Sequence, residues 1–382
     1  MHAPLALTSM PLLGALSPRA FLARHWQKRP LLVRNALPGF CGVADRRALF
    51  ALARREDVES RIVARARGRW SLAHGPFGAR ELQRFPARNA TLLVQGVNLF
   101  VPGAEALLRR FSFLPYARLD DVMVSYAVPG GGVGPHFDSY DVFLLQGTGH
   151  RRWRISAQRD RTLDAQAPLR ILAHFTPEAE WVLGPGDLLY LPPGYAHDGE
   201  AVDECTTCSI GFRAPAAREL ATEFLAWLGE RCELDGVYAD PDLRLQRHPA
   251  QLGDAMLKRA AAMLAEVRWS EREVARFLGT YLSEPKPNVT FARPQRPLPP
   301  MRFARAFAKH GVRLDARTTM LFRGHRLFVN GEELLMPAPV RGALVKLADA
   351  RSLPGGETPT SPLLDLLHQW YGAGYLHLGN RP

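Results

Sequence analysis

The chain is expected to fold as mainly β with α: a barrel or sandwich of short strands, then a helical region and a small C-terminal domain. Three observations predict this. Short apolar segments punctuated by glycine and proline recur over residues 1–214, the pattern of many short strands. Near residue 215 the apolar spacing becomes helical. Residues 284–300, EPKPNVTFARPQRPLPP, then carry six prolines, the clearest linker in the chain.

Taken in order, SPRAFLARHWQKRPLLVRNA (17–36) reads as a helix with Ser17 as N-cap and Pro18 at its first position. There the missing N–H is unneeded and the ring presets φ. Pro30 is expected to end it, and LLVR to follow as a strand. Further strands are expected at 69–75, 90–97, 120–128, 140–147, 151–156, 181–193 and 205–214, with a helix near 103–111. Leu220, Phe224, Trp227 and Leu228 recur helically within 216–232, as do apolar residues in 254–267. Beyond the linker, Asn330-Gly331 between apolar runs marks a hairpin turn, and helices are expected at 340–350 and 362–371. Helices with a hairpin suggest a winged-helix-like domain. The divisions are therefore 1–214 (barrel core about 90–214), 215–283, 284–300 and 301–382.

At 382 residues and 47% hydrophobic, the chain can bury a sizeable core. It lacks an apolar run long enough for a membrane span. The opening MHAPLALTSMPLLGALS has no basic start and is broken by Pro4 and Pro11, so it does not read as a signal peptide. Four scattered cysteines do not make a disulfide framework, and a reducing cytoplasm is expected. Net charge is +12, which raises nucleic-acid binding. However, only five of the 49 basic residues are lysine and the charge is dispersed, so direct nucleic-acid binding is not expected.

The chemistry concentrates in GGGVGPHFDSYDVF (130–143). His136 and Asp138 stand two apart at the start of a strand, so both leave one face. A third ligand is offered by PGDLLYLPPGYAHDG (185–199). Gly186, five residues, Pro192-x-Gly194, two residues and His197 form the spacing of a second cupin motif, in which a Pro-Gly turn returns a histidine to the barrel mouth. Two imidazoles and one carboxylate on one face favour non-haem Fe(II), with three coordination positions left for co-substrate and oxygen. The glycine loop would let backbone crowd the metal mouth without Cβ clashes. In RRWRIS (151–156), Arg151, Trp153 and Ile155 share one strand face. A guanidinium turned into a barrel needs a carboxylate, and the remote end of 2-oxoglutarate would serve. Whether Arg151 or Arg152 points inward is not decided by alternation alone.

FLARHWQKRPLLVR, LLVQGVN, VPGGGVGPHFDSYDVFLLQGTGHRRWR, GDLLYLPPGYAHDG and SIGFRAP together resemble the bacterial Jumonji-C ribosomal oxygenases over essentially the whole chain. The resemblance implies a cupin (double-stranded β-helix) barrel, a helical dimerisation region and a winged-helix-like tail. It implies an Fe(II)- and 2-oxoglutarate-dependent dioxygenase that hydroxylates an arginine of a large-subunit ribosomal protein, acting as a homodimer. By position, His136, Asp138 and His197 match the iron ligands and Arg151 the residue that binds the co-substrate. Ser125 keeps a hydroxyl that relatives direct to the co-substrate, whereas Ala127, on the same face, cannot donate. Cys205 and Cys208, three apart on a strand, point to opposite faces and read as core residues rather than a metal pair. The rival readings are a Jumonji-C hydroxylase or demethylase acting on another protein or on RNA, and a catalytically silent cupin binding module.

Overall fold

The computed structural model describes residues 11–356 and 360–379; the first ten residues of the segment read above for a leader lie outside them. Among the described residues no helix is long and apolar enough to cross a membrane. The chain packs as two compact units, one of Met1–Ala214, Lys286–Thr318 and Asp349–Pro382, the other of Pro215–Pro285 and Thr319–Ala348.

The first unit carries the strands β1 (Leu31–Val33), β2 (Ser60–Ala66), β3 (Arg69–His74), β4 (Ala90–Val94), β5 (Leu119–Ala127) and β6 (His136–Phe137). They continue with β7 (Val142–Gln146), β8 (Arg151–Ser156), β9 (Ala179–Leu183), β10 (Leu188–Leu191), β11 (Ala196–Ala201) and β12 (Cys205–Phe212). One sheet runs β1-β10-β7-β12-β5-β4-β2-β3 and the other β6-β11-β8-β9. Val142, Leu144, Leu189 and Leu191 of the larger sheet share a buried core with Trp153, Ile155 and Leu183 of the smaller. The outer face of the larger sheet is covered too. Phe143, Leu145 and Tyr190 pack there with Phe21 of helix α1 (Pro18–Arg24), Leu49 of α2 (Arg46–Leu52), Leu82 of α3 (Ala79–Gln83) and Leu107 of α4 (Pro102–Arg109). Burial on both faces is why β7 reads as an unbroken apolar run rather than an alternating one.

Helix α1 begins as its sequence dictates, with the Ser17 hydroxyl accepting from Ala20 N–H at 3.1 Å. It stops at Arg24, short of Pro30, because Gln27 is left-handed (φ 55°) and donates its N–H to Tyr190 Oη at 2.8 Å. The stretch 181–193, expected as one strand, divides into β9 and β10 at Gly184-Pro185-Gly186, where the Asp187 carboxylate accepts from Gly184 N–H at 3.1 Å. The two halves then belong to different sheets. Sequence patterning does not mark β2, α2 or β11; the last, AHDGEA, is too polar to stand out.

The second unit holds helices α5 (Ala217–Gly229), α6 (Asp254–Leu264) and α7 (Glu271–Ser283). Trp227 and Leu228 of α5 pack on Phe277 of α7. A three-stranded sheet of Met320–Arg323, Arg326–Val329 and Glu332–Leu335 also belongs to it, and Asn330 and Gly331 turn between the last two with φ of 52° and 90°. Arg276 of α7 pairs with Glu333 of that sheet at 2.9 Å.

Candidate metal centre

Strand β6 is only two residues long, and its register sets the site: His136 lies directly opposite His197 of β11. The loop before it, Pro129–Pro135, threads between strands. Gly130 N–H donates to Ala201 O and Ala201 N–H to Gly131 O, both at 2.8 Å. A Cβ on Gly131 would lie 2.2 Å from Ala90 O, and one on Gly132 2.5 Å from Gly199 O. Only glycine permits so close an approach. The turn before His197 is tied to the same place, since Gly194 N–H donates to Asp138 O at 2.9 Å. The spacing of the Pro-Gly turn thus fixes His197 and Asp138 to each other.

The three side chains converge as the sequence predicts. One ligand atom from each of His136, Asp138 and His197 lies within 4.8 Å of the others. His136 Nε2 is 3.9 Å from Asp138 Oδ1, and His197 Nε2 is 3.5 Å from Asp138 Oδ2. Each ring holds its other nitrogen on the main chain: His136 Nδ1 on Gly134 O at 2.8 Å, His197 Nδ1 on Tyr195 O at 3.0 Å. With the proton on Nδ1, both Nε2 lone pairs face the centre, the outer support that metal-bound imidazoles usually have. Burial, and then the neighbouring His136, lowers the His197 pKa to about 4, so its ring is neutral and available to a cation. Two imidazoles and a carboxylate on one face fit a divalent metal of the non-haem iron type. His136 and Asp138 are a fifth to a quarter exposed, which leaves the approach open on their side.

Strand parity at β8 is also settled. Arg151, Trp153 and Ile155 are buried at 4%, 5% and 2% exposure. Arg152 points the other way and pairs with Glu180 at 3.2 Å. Inside, Arg151 Nη2 lies 3.8 Å from Cys205 Sγ, its Nε has no hydrogen-bond partner among the described residues, and its guanidinium stands 5.8 Å from the Trp153 ring. A buried guanidinium left this way is costly unless an anion meets it. That orphaned donor fits the far carboxylate of 2-oxoglutarate. Ser125 is buried on β5 of the larger sheet, its hydroxyl donating to Thr207 O at 3.5 Å.

Two further polar groups of this interior were not singled out in the sequence. Trp153 Nε1 is buried without a partner among the described residues, with its ring centroid 6.0 Å from that of His197. Thr91 Oγ1 of β4 is likewise buried and unpartnered. Cys205 packs with Ala127 and Ala201 inside, whereas Cys208 packs in the outer core, as their opposite faces require.

Comparison with known proteins places the whole chain. The JmjC domain family matches residues 106–220, an AraC-like ligand binding domain residues 174–271, and a ROXA-like winged helix residues 266–377. The ribosomal protein uL16 3-hydroxylase of Escherichia coli is 36% identical over 331 residues, 86% of this chain and 87% of that protein. The X-ray structure of E. coli YcfD superposes with a TM-score of 0.83 at 33% identity, over 95% of this chain and 98% of that one. The structure of YcfD, described as a ribosomal oxygenase, in complex with cobalt and 2-oxoglutarate gives a TM-score of 0.80 at 33% identity, over 96% and 99%.

Proposed function

The chain belongs to the JmjC ribosomal oxygenases, and from that premise we propose that it is a 2-oxoglutarate-dependent dioxygenase that hydroxylates a ribosomal protein. The observation that carries this is the meeting of His136, Asp138 and His197 in one barrel interior with the buried Arg151, whose Nε has no partner among the described residues. The E. coli relative acts on uL16, as its name states. The corresponding substrate here is an arginine side chain of that large-subunit protein, presented at the open side of the mouth and hydroxylated at carbon 3.

His136, Asp138 and His197 would hold Fe(II), and Arg151 would meet the far carboxylate of 2-oxoglutarate with a charge-assisted pair. Ser125 lines the pocket beside it, its hydroxyl turned to Thr207 O. When bound, iron and 2-oxoglutarate supply the oxidising chemistry: one atom of O2 enters a substrate C–H bond, and the co-substrate leaves as succinate and CO2. The chain's own part is positional. Hydrogen bonds from Nδ1 to Gly134 O and Tyr195 O fix the two imidazole planes. Trp153, Ile155, Leu144 and Leu189 keep the interior apolar, so the fork meets its carboxylate away from water. Release of succinate should rise when purified uL16 is added to the iron-loaded enzyme; release that ignores the protein would contradict this substrate class.

We further assign residues 1–214 as the catalytic domain, 215–283 as dimerisation helices, 284–300 as the linker and 301–382 as the winged-helix-like domain. Leu225, Leu257 and Leu264 of α5 and α6 are 57%, 52% and 71% exposed, which supports a second copy covering them. A ribosomal substrate and the scarcity of cysteine support a cytoplasmic enzyme.

A further inference from the structure

Ala127 cannot donate a hydrogen bond into the barrel interior, and the structure offers a hydroxyl on the neighbouring strand. Thr91 of β4, Ala127 of β5 and Cys205 of β12 form one cross-strand row, because Thr91 pairs with Ala127 and Ala127 with Cys205. Residues directly opposite on antiparallel strands project to one face. Ala127 and Cys205 project into the interior, where they pack with Ala201. Arg151 lies at the same level, opposite Ala201 on β11 and with Nη2 3.8 Å from Cys205 Sγ. Two buried donors therefore flank one patch of small side chains: Arg151 Nε from one side and Thr91 Oγ1 from the other. Neither has a partner among the described residues, and Thr91 is 0% exposed. Buried hydroxyls are almost always hydrogen-bonded, so an orphan on a pocket wall points to a ligand. Ser125, one pleat along, already donates to Thr207 O and is the less available of the two.

We propose that Thr91 supplies the hydroxyl this chain lacks at Ala127, so that the far carboxylate of 2-oxoglutarate is held between the Arg151 guanidinium and Thr91 Oγ1. This rests on the proposed co-substrate. It deepens that reading by making recognition of the dicarboxylate depend on a neighbouring strand. The register also predicts that a hydroxyl at position 127 can stand in for one at position 91.

The test is equilibrium binding to the Mn(II)-loaded, oxygen-free full-length protein, followed by calorimetry. Wild type, T91V, T91S and the double variant T91V/A127S are compared for 2-oxoglutarate and for 2-oxobutyrate, which keeps the keto acid but ends in a methyl group. T91V should bind 2-oxoglutarate about 10-fold more weakly, the loss of one hydrogen bond to a charged group. T91S should stay within about 2-fold of wild type, and T91V/A127S should recover most of the loss. All four should bind 2-oxobutyrate alike. Unchanged 2-oxoglutarate affinity in T91V would overturn the assignment of Thr91, and so would an equal loss for both acids, since that marks a packing defect. Failure of wild type itself to bind 2-oxoglutarate would instead overturn the proposed function.

Discussion

His136 and His197 face each other across one β-pairing register, with ring centroids 4.2 Å apart and each Nδ1 held by the main-chain carbonyl two residues upstream. This near-symmetry makes the two rings equivalent as ligands but not as packing elements, because the His197 side chain is 3% exposed and that of His136 24%. His136→Ala should abolish iron binding and turnover with little change in melting temperature. His197→Ala should abolish both and also lower the melting temperature. Metal content after gel filtration and a thermal melt check this, and a His136→Ala protein that keeps its iron would contradict the ligand assignment.

Arg151 and Arg152 are adjacent in sequence but lie on opposite faces of β8. Charge-assisted hydrogen bonds contribute roughly 1.5–3 kcal/mol each. Losing the fork in Arg151→Ala should therefore raise the Michaelis constant for 2-oxoglutarate by about 10-fold to 1,000-fold. Arg151→Lys should recover only part, since an ammonium keeps the charge without the fork. Arg152→Ala loses a surface pair with Glu180, with a side chain 40% exposed, and should change the constant by less than about 2-fold. A larger effect from Arg152 would reverse the strand face.

Asp141 is fully buried and accepts from Tyr190 Oη at 2.6 Å, Gln27 Nε2 at 2.9 Å and Arg118 Nη2 at 3.2 Å. It ties the segment just after α1, and β10, to the first residues after the metal loop. Asp141→Ala would leave the buried Tyr190 hydroxyl without an acceptor and remove a partner of the part-exposed Arg118 guanidinium, which keeps Arg213 O, and this should cost about 1–3 kcal/mol in denaturant unfolding. A loss below about 1 kcal/mol would show that water replaces the carboxylate at no great cost.

Dimerisation through the helical region should appear in light scattering as about twice the 42.5 kDa chain mass. Leu264→Asp, on an exposed apolar position of α6, should shift it toward the monomer. Wild-type protein that stays monomeric at micromolar concentration would contradict that assignment.

How much of this was legible in the sequence follows from the range of each interaction. The triad was legible because both halves are local: a period of two places His136 with Asp138, and a Pro-Gly turn places His197. Parity also set the face of Cys205 against that of Cys208. Which of Arg151 and Arg152 turns inward was not legible from alternation, which fixes opposition and not direction; only the family resemblance pointed to Arg151. The end of α1 was hidden for a similar reason, since Gln27 is stopped by Tyr190 from 163 residues away. Thr91 reads as one more residue of an apolar strand until β4, β5 and β12 are set in register.

The proposed reaction uses iron and 2-oxoglutarate to place one oxygen atom on a ribosomal protein. The most direct measurement is intact-mass and fragment mass spectrometry of uL16 incubated with the purified enzyme, Fe(II), 2-oxoglutarate and air. A mass gain of one oxygen atom on a single arginine is expected, absent when 2-oxoglutarate is omitted and absent with the His136→Ala enzyme. An unmodified uL16, under conditions where wild type binds iron and 2-oxoglutarate, would contradict it.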